Sequence, residues 1–241
     1  MKNIFVFSLM VFSATFQSCA QNKFESDEFE TSAGKLTITF FGHASLMFNF
    51  NGKIIQVDPV GQYADYSKFP KADLILITHD HFDHFDKKAI EKSVKPGTAI
   101  ILNQTTFDEL NKGQVMKNGD VKTVDGVKIE AVPAYNNTPQ HLQFHPKNRD
   151  NGYVLTFGNK RVYIAGDTEN IPEMAALKNI DIAFLPMNQP YTMLPSQVVQ
   201  CVHLFHPHIL YPYHYGNTHV SELTKLMAND KTVEVRIRKL N

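Results

Sequence analysis

The stretch Leu74-Ile75-Leu76-Ile77-Thr78-His79-Asp80-His81-Phe82-Asp83-His84 constrains the fold more than any other part of the chain. Its first half is a short apolar run, the pattern of a strand buried on both faces. Its second half crowds His79, His81, Asp83 and His84, all potential metal ligands, into one loop. A loop need not alternate its side chains between two faces, so His79 and His81 can turn to one metal while Asp83 and His84 turn to a second. The pattern recurs twice. Val162-Tyr163-Ile164-Ala165-Gly166-Asp167 is an apolar strand ending in a carboxylate, and Ile209-Leu210-Tyr211-Pro212-Tyr213-His214 is one ending in an imidazole. Three strands that each finish in a ligand deliver them to one edge of a sheet layer.

The remaining elements follow from periodicity and turn chemistry. Lys35 to Phe41, Ser45 to Phe50 and Lys53 to Val57 read as strands, with Asn51-Gly52 as a hairpin signal. Asp125-Gly126 and Gly158-Asn159 mark two more hairpins, between Val121 to Val124 and Val127 to Val132, and between Gly152 to Phe157 and Lys160 to Ala165. Helical spacing appears in Lys87 to Val94, Phe107 to Lys112, Ile171 to Lys178, Ser196 to Phe205 and Val220 to Met227. Strands are expected at Asp73 to Thr78, Ala99 to Leu102, Asp181 to Leu185, His208 to Pro212 and Thr232 to Ile237. Hairpins in each half with alternating helices predict an α/β fold, a four-layer αββα sandwich. The aperiodic stretch Tyr135 to Asn151 is the longest loop, where function concentrates.

Lys+Arg and Asp+Glu are equal at 24 each, so no overall field draws the chain to nucleic acid, and a neutral protein with local chemistry is expected. One domain is expected from 241 residues. Lys2 followed by the apolar run Ile4 to Phe16 reads as a secretory signal over residues 1–19, too short for a comfortable membrane span. Phe16-Gln17-Ser18-Cys19 resembles a bacterial lipobox. An exported lipoprotein attached to the membrane through acylated Cys19 is therefore expected over ordinary cleavage at Ser18-Cys19-Ala20 and release to the periplasm. Residues 20–34 read as a flexible polar spacer and 35–241 as the folded domain. With only Cys19 and Cys201, thiolate metal sites are excluded. Cys201 reads as a small core residue, and His203, His206 and His208 as structural.

His79-x-His81-x-Asp83-His84, Gly166-Asp167-Thr168 and Tyr213-His214-Tyr215-Gly216 resemble the metallo-β-lactamase-fold superfamily of hydrolases, over about Lys35 to Ile237. The resemblance implies that His79, His81 and a third histidine bind one metal, that Asp83, His84 and His214 bind another, and that Asp167 bridges them. His145, in His145-Pro146-Lys147, is preferred to His141 as the third histidine. It resembles the subgroup that includes ascorbate 6-phosphate lactonase and relatives of N-acyl phosphatidylethanolamine phospholipase D. Asp58 resembles the carboxylate that orients the histidine loop. Gly42-His43-Ala44-Ser45 resembles the subgroup's opening motif, which places His43 in the pocket, and His219 is expected to reach substrate. Two divalent ions, zinc by default with manganese or iron as alternatives, are implied. A bridging hydroxide would then attack an ester, lactone or phosphodiester of a small molecule or lipid, with Asp83 accepting or orienting its proton. The competing reading is a catalytically inactive metal-binding or interaction module of the same fold.

Overall fold

The computed structural model describes residues 24–240. The segment expected to be a signal, with Cys19, lies outside the described residues. The first sheet is built from β1 (Ser26–Thr31), β2 (Gly34–Gly42), β3 (Ser45–Phe50), β4 (Lys53–Val57), β5 (Leu74–Leu76), β6 (Ala99–Leu102) and β7 (Gln114–Val115), in that spatial order. The second contains β8 (Val121–Val124), β9 (Val127–Ala134), β10 (Asp150–Phe157), β11 (Lys160–Ile164), β12 (Ile182–Pro186), β13 (Ile209–Tyr213) and β14 (Glu234–Val235), again in chain order from one edge to the other. Each sheet opens as an antiparallel meander of four strands and continues as parallel strands joined by crossovers.

The hairpins form where their turn residues require. Asn51 and Gly52 both take positive φ, as do Asp125 and Gly126, which is the type I′ geometry that matches strand twist. Four helices complete the fold: α1 (Lys87–Ser93), α2 (Gln104–Leu110), α3 (Pro195–Phe205) and α4 (Val220–Leu226). The side chains of β5 separate the layers. Leu74 and Leu76 join the main core between the sheets, whereas Ile75 and Ile77 face outward and pack with Ile90 of α1 and Phe107 and Leu110 of α2. Phe48 meets Phe157 at 5.8 Å and Phe40 meets Tyr211 at 5.1 Å across the inter-sheet space, while Phe205 of α3 sits edge-on to Tyr163 at 5.6 Å. The result is the expected four-layer αββα sandwich. Cys201 is buried in α3 against Met193, in the core role expected of it.

Several boundaries differ from the sequence reading. Residues 26–31 are not spacer: Ser26–Thr31 pairs along its length with β2, and Asp27 is held by Arg238 at 2.7 Å. Its inward side chains include Phe29, which packs on the core, so the strand was hidden by the acidic outer face of an edge strand. Helix α2 starts at Gln104 because Asn103 caps it by accepting the Thr106 N–H, and it stops before left-handed Asn111. The stretch 171–178 forms only a 3-10 turn over Pro172–Ala176, and the last strand shrinks to Glu234–Val235. Among the described residues no helix is long and apolar enough to cross a membrane.

Candidate metal centre

Parallel strands send their carboxyl ends to one side of a sheet, and ligand sites form in the crevice beyond those ends. Here β4 is followed directly by Asp58, β5 runs into the loop 79–84, β11 leads through Ala165 and Gly166 to Asp167, and β13 is followed directly by His214. The loop after β9 carries His145, and the turn after β2 carries His43. Gly166 has φ +67, a conformation glycine takes freely, and a Cβ there would meet the Asn151 carbonyl oxygen at 2.9 Å. The two sheets are tied together beside the site: Asn151 N–H donates to the Thr78 carbonyl at 3.1 Å, and the Tyr153 hydroxyl donates to the Ile77 carbonyl at 2.8 Å.

Two adjoining groups of donors result. His79, His81, His145 and Asp167 each offer an atom within 4.8 Å of the others, and so do His43, Asp83, His84 and His214. Asp167 stands between the groups: its Oδ2 lies 3.0 Å from His214 Nε2 and 3.4 Å from His145 Nε2, and its Oδ1 lies 3.3 Å from His84 Nε2. The atoms that face inward have no hydrogen-bond partner. Nε2 of His79, His84, His145 and His214, and Oδ1 of Asp167, are all buried and unpaired. Buried polar atoms are almost always paired, so a converging set of orphans fits the absent cations these donors would coordinate.

The outward Nδ1 atoms of His79, His84 and His145 are paired, whereas that of His214 is not. His84 Nδ1 donates to Asp58 Oδ2 at 2.8 Å, and Asp58 also accepts from Thr78 N–H at 2.8 Å and Thr78 Oγ1 at 2.7 Å. His145 Nδ1 donates to Asp150 Oδ2 at 3.1 Å, and Thr78 Oγ1 lies 2.9 Å from His79 Nδ1. These contacts fix the tautomers that leave Nε2 of His84 and His145 free for a metal. His43 Nε2 lies 3.0 Å from Asp83 Oδ2, its ring stacks on Tyr63, and its carbonyl accepts the His214 N–H at 3.1 Å.

Charge is distributed unevenly over the cage. Burial pushes His79, His81 and His43 below the usual imidazole range, so they stay neutral. Burial acts the same way on His145 and His214 but is outweighed: Asp150 and Asp167 raise His145 to about 9, and Asp167 and Asp83 raise His214 to about 10. Burial would raise the carboxyl of Asp167, yet the charges on His214 and His84 hold it well below its ordinary range.

A cavity of about 330 Å³ opens over donors of both groups and is walled by Phe82, Phe144, Asn188 and Tyr191. The structure brings together His79, His81, Asp83, His84, His145, Asp167, His214 and His43, with Asp58 behind them. It does not bring His219. That residue is exposed at the N-cap of α4 and lines no part of this cavity, because the turn closed by Thr218 N–H to the Tyr215 carbonyl carries the chain away. His141 is held apart by Glu169 at 2.8 Å. Sequence reasoning missed Asp150, Arg149 and the aromatic walls. For Asp150 a signal existed, a carboxylate opening a strand five residues after His145.

The sequence model of the beta-lactamase superfamily domain matches residues 37–214. A metal-dependent hydrolase from Thermococcus kodakarensis, assigned to UPF0173, is 31% identical over 192 residues, covering 74% of this chain and 84% of that protein. A UPF0173 metal-dependent hydrolase from Thermococcus onnurineus is 33% identical over 192 residues, with the same coverage. Among solved structures, a candidate metal-dependent hydrolase from Parabacteroides distasonis superposes with TM-score 0.88 at 57% identity, over 90% of this chain and 100% of that one. A metallo hydrolase from Ignicoccus hospitalis gives 0.70 at 25% identity, over 84% and 94%. Fold and donor set are thus those of a metal-dependent hydrolase built on a metallo-β-lactamase sandwich. The chain belongs to the beta-lactamase superfamily and, within it, to the UPF0173 metal-dependent hydrolases.

Proposed function

We propose that this protein is a dinuclear hydrolase that cleaves an ester, lactone or phosphodiester bond with water as nucleophile. The observation that carries the reading is the convergence of unpaired, buried Nε2 and carboxylate atoms from two donor groups on either side of Asp167. In this assignment His79, His81 and His145 hold one cation, Asp83, His84 and His214 hold the second, and Asp167 serves both. An all-nitrogen-and-oxygen donor set suits zinc, manganese or iron. When bound, such ions make water a hydroxide donor near neutral pH and polarise the scissile carbonyl or phosphoryl oxygen.

The chain's own residues do the rest. Asp83 lines the cavity and, with burial opposing, is held below the usual carboxylate range by His214 and His43, so it enters the reaction ionised. It accepts a hydrogen bond from the attacking water at a carboxylate oxygen and so orients it, while the water's proton passes to solvent and the leaving oxygen takes one from solvent. His43 orients Asp83 through the 3.0 Å contact at Oδ2. Among the described residues the one thiol, Cys201, does not compete as nucleophile, since burial pushes it up to about 12.

The test is metal quantification on purified protein, followed by turnover of p-nitrophenyl esters, lactones and bis(p-nitrophenyl) phosphate. About two equivalents of metal are expected. His81→Ala and Asp167→Ala are expected to lose at least about a hundredfold in turnover while keeping a native circular-dichroism spectrum, and His219→Ala is expected to keep it. Full turnover in either ligand variant refutes the assignment. Bound metal with no turnover of any class favours the inactive binding module.

A further inference from the structure

Resting on the hydrolytic reading of the same cavity, we propose that it selects neutral esters or lactones carrying an apolar chain, seated on Phe82, Phe144 and Tyr191. Among the described residues, seven large apolar side chains are strongly exposed, and four of them, Phe82, Leu142, Tyr191 and Leu194, lie on the three loops that wall this one cavity. Scattered exposed apolar residues are ordinary, but a cluster around a concave polar site marks a ligand surface. Phe82 is the extreme case: it is 82% exposed although its neighbours His81 and Asp83 turn inward to the donor groups.

The walls are rigid and registered to the reacting centre. Phe144 immediately precedes His145, its ring meets Tyr191 edge-on at 4.9 Å, and its carbonyl accepts from Arg149 Nη2 at 2.9 Å. Tyr191 is fixed through its carbonyl, which accepts from Asn136 Nδ2 at 2.8 Å. Glu169 pins the same loop from below, accepting the Asn137 N–H at 2.8 Å and the Thr138 N–H at 2.7 Å and pairing with His141. A seat held this way selects by shape instead of adapting.

Charge points the same way. Among the described residues none of the side chains lining the cavity is Lys or Arg. Arg149 comes within 3.5 Å of His81 Nε2, but its guanidinium is held by Asp150 at 2.7 and 2.9 Å and by the Phe144 carbonyl. Beyond the cations that the two donor groups would hold, a phosphodiester's anionic oxygens would find no guanidinium or ammonium partner in this cavity, whereas a neutral carbonyl ester needs none. A cavity of about 330 Å³ is at the small end for ligand sites, enough for the reacting group and a short chain.

The experiment uses the zinc-loaded full chain with p-nitrophenyl acetate, butyrate and hexanoate and bis(p-nitrophenyl) phosphate, and in parallel measures binding of aceto- and hexanohydroxamate by calorimetry. A fully buried methylene is worth about fourfold, so half-burial of four methylenes predicts roughly a fifteenfold gain from acetate to hexanoate in both kcat/KM and hydroxamate affinity. Phe144→Ala and Tyr191→Ala should flatten that dependence. A flat chain-length profile in binding, or preference for the phosphodiester over every ester, overturns the inference while leaving the hydrolytic reading intact. Chain-dependent hydroxamate binding with no turnover of any ester keeps the apolar seat and sinks the hydrolytic reading. A rate that jumps only when substrate forms micelles assigns the rim to a lipid surface and also overturns it.

Discussion

Asp58→Asn isolates the orientation of His84 from every other property of the site. Asp58 is wholly buried and has φ +44, a backbone conformation that asparagine tolerates as well as aspartate, so the substitution adds no strain to the turn. Its Oδ1 accepts the Thr78 N–H at 2.8 Å, which fixes the oxygen of the new amide in the same place. The amide nitrogen then falls where Oδ2 accepted from His84 Nδ1 at 2.8 Å. Two donors would face each other unless the His84 proton moves to Nε2, the atom that must be free for a metal. Losing one charge-assisted hydrogen bond costs about 1.5–3 kcal/mol, which is about tenfold to a hundredfold in affinity at the group His43, Asp83, His84 and His214. The other group touches Asp58 only through Thr78 and should move by less than about threefold. Zinc titration against a chromogenic chelator, fitted to two sites, reads both constants. Unchanged constants, or an equal fall in both with a native melting temperature, would show that Asp58 does not orient His84.

Three further outcomes follow from the same geometry. His145 and His214, raised to about 9 and about 10, are protonated in the metal-free protein at pH 7, and in His84 burial is outweighed by Asp167 and Asp58, which raise it too; binding needs all of them neutral, so zinc binding should release at least about two protons there, fewer above pH 9. By the same sign, their contribution to metal-free stability is complete below about pH 6.5 and lost as pH rises through those values; a metal-free melting temperature that climbs between pH 7 and 10 contradicts it. Gly152→Ala places a Cβ 2.6 Å from the Ala165 carbonyl oxygen and 3.0 Å from that of Ile164, on the segment leading to Asp167. It should destabilise by about 1–3 kcal/mol and weaken metal binding, and unaltered melting would refute the close approach. The lipoprotein reading of the leader predicts that Cys19→Ser moves the protein from the detergent phase to the aqueous phase on phase separation, and a wild-type protein already in the aqueous phase speaks against it.

The sequence made the fold legible where local chemistry and tertiary demand agree. Asn51-Gly52 and Asp125-Gly126 need positive φ and announce their hairpins, and the apolar runs before His79, Asp167 and His214 had to be buried strands. It failed where a residue serves a surface that only the folded chain creates. β1 reads as polar spacer because its partners for Asp27, Arg236 and Arg238, lie at the far end of the chain. The aromatic walls were invisible for a similar reason: nothing local marks Phe82 among the ligands as exposed, and Phe144 and Tyr191 come from loops 47 residues apart that meet through their ring contact and the Asn136 hydrogen bond to the Tyr191 carbonyl. His219 misled in the opposite direction, since nearness in sequence to His214 says nothing once a turn intervenes.

Backbone strain shows why so many donors reach one point. His43, Asp58 and His214 all have positive φ, between 44 and 52 degrees, and none is a glycine. Each such residue costs about 1–3 kcal/mol and persists only where its surroundings over-determine it. Here the surroundings are one another: the His43 carbonyl accepts the His214 N–H, the His43 ring lies 3.8 Å from the His214 ring, and Asp58 holds His84, whose ring stacks at 5.1 Å on His214. A strand alternates its side chains, so a residue placed just beyond it continues that alternation unless the backbone turns left-handed. Bending the chain at the strand ends lets β4 and β13, from different sheets, and the turn after β2 supply the same group of side chains. The strain is therefore the local cost of convergence, and it falls on the group that carries Asp83, the carboxylate that orients the attacking water in the proposed reaction.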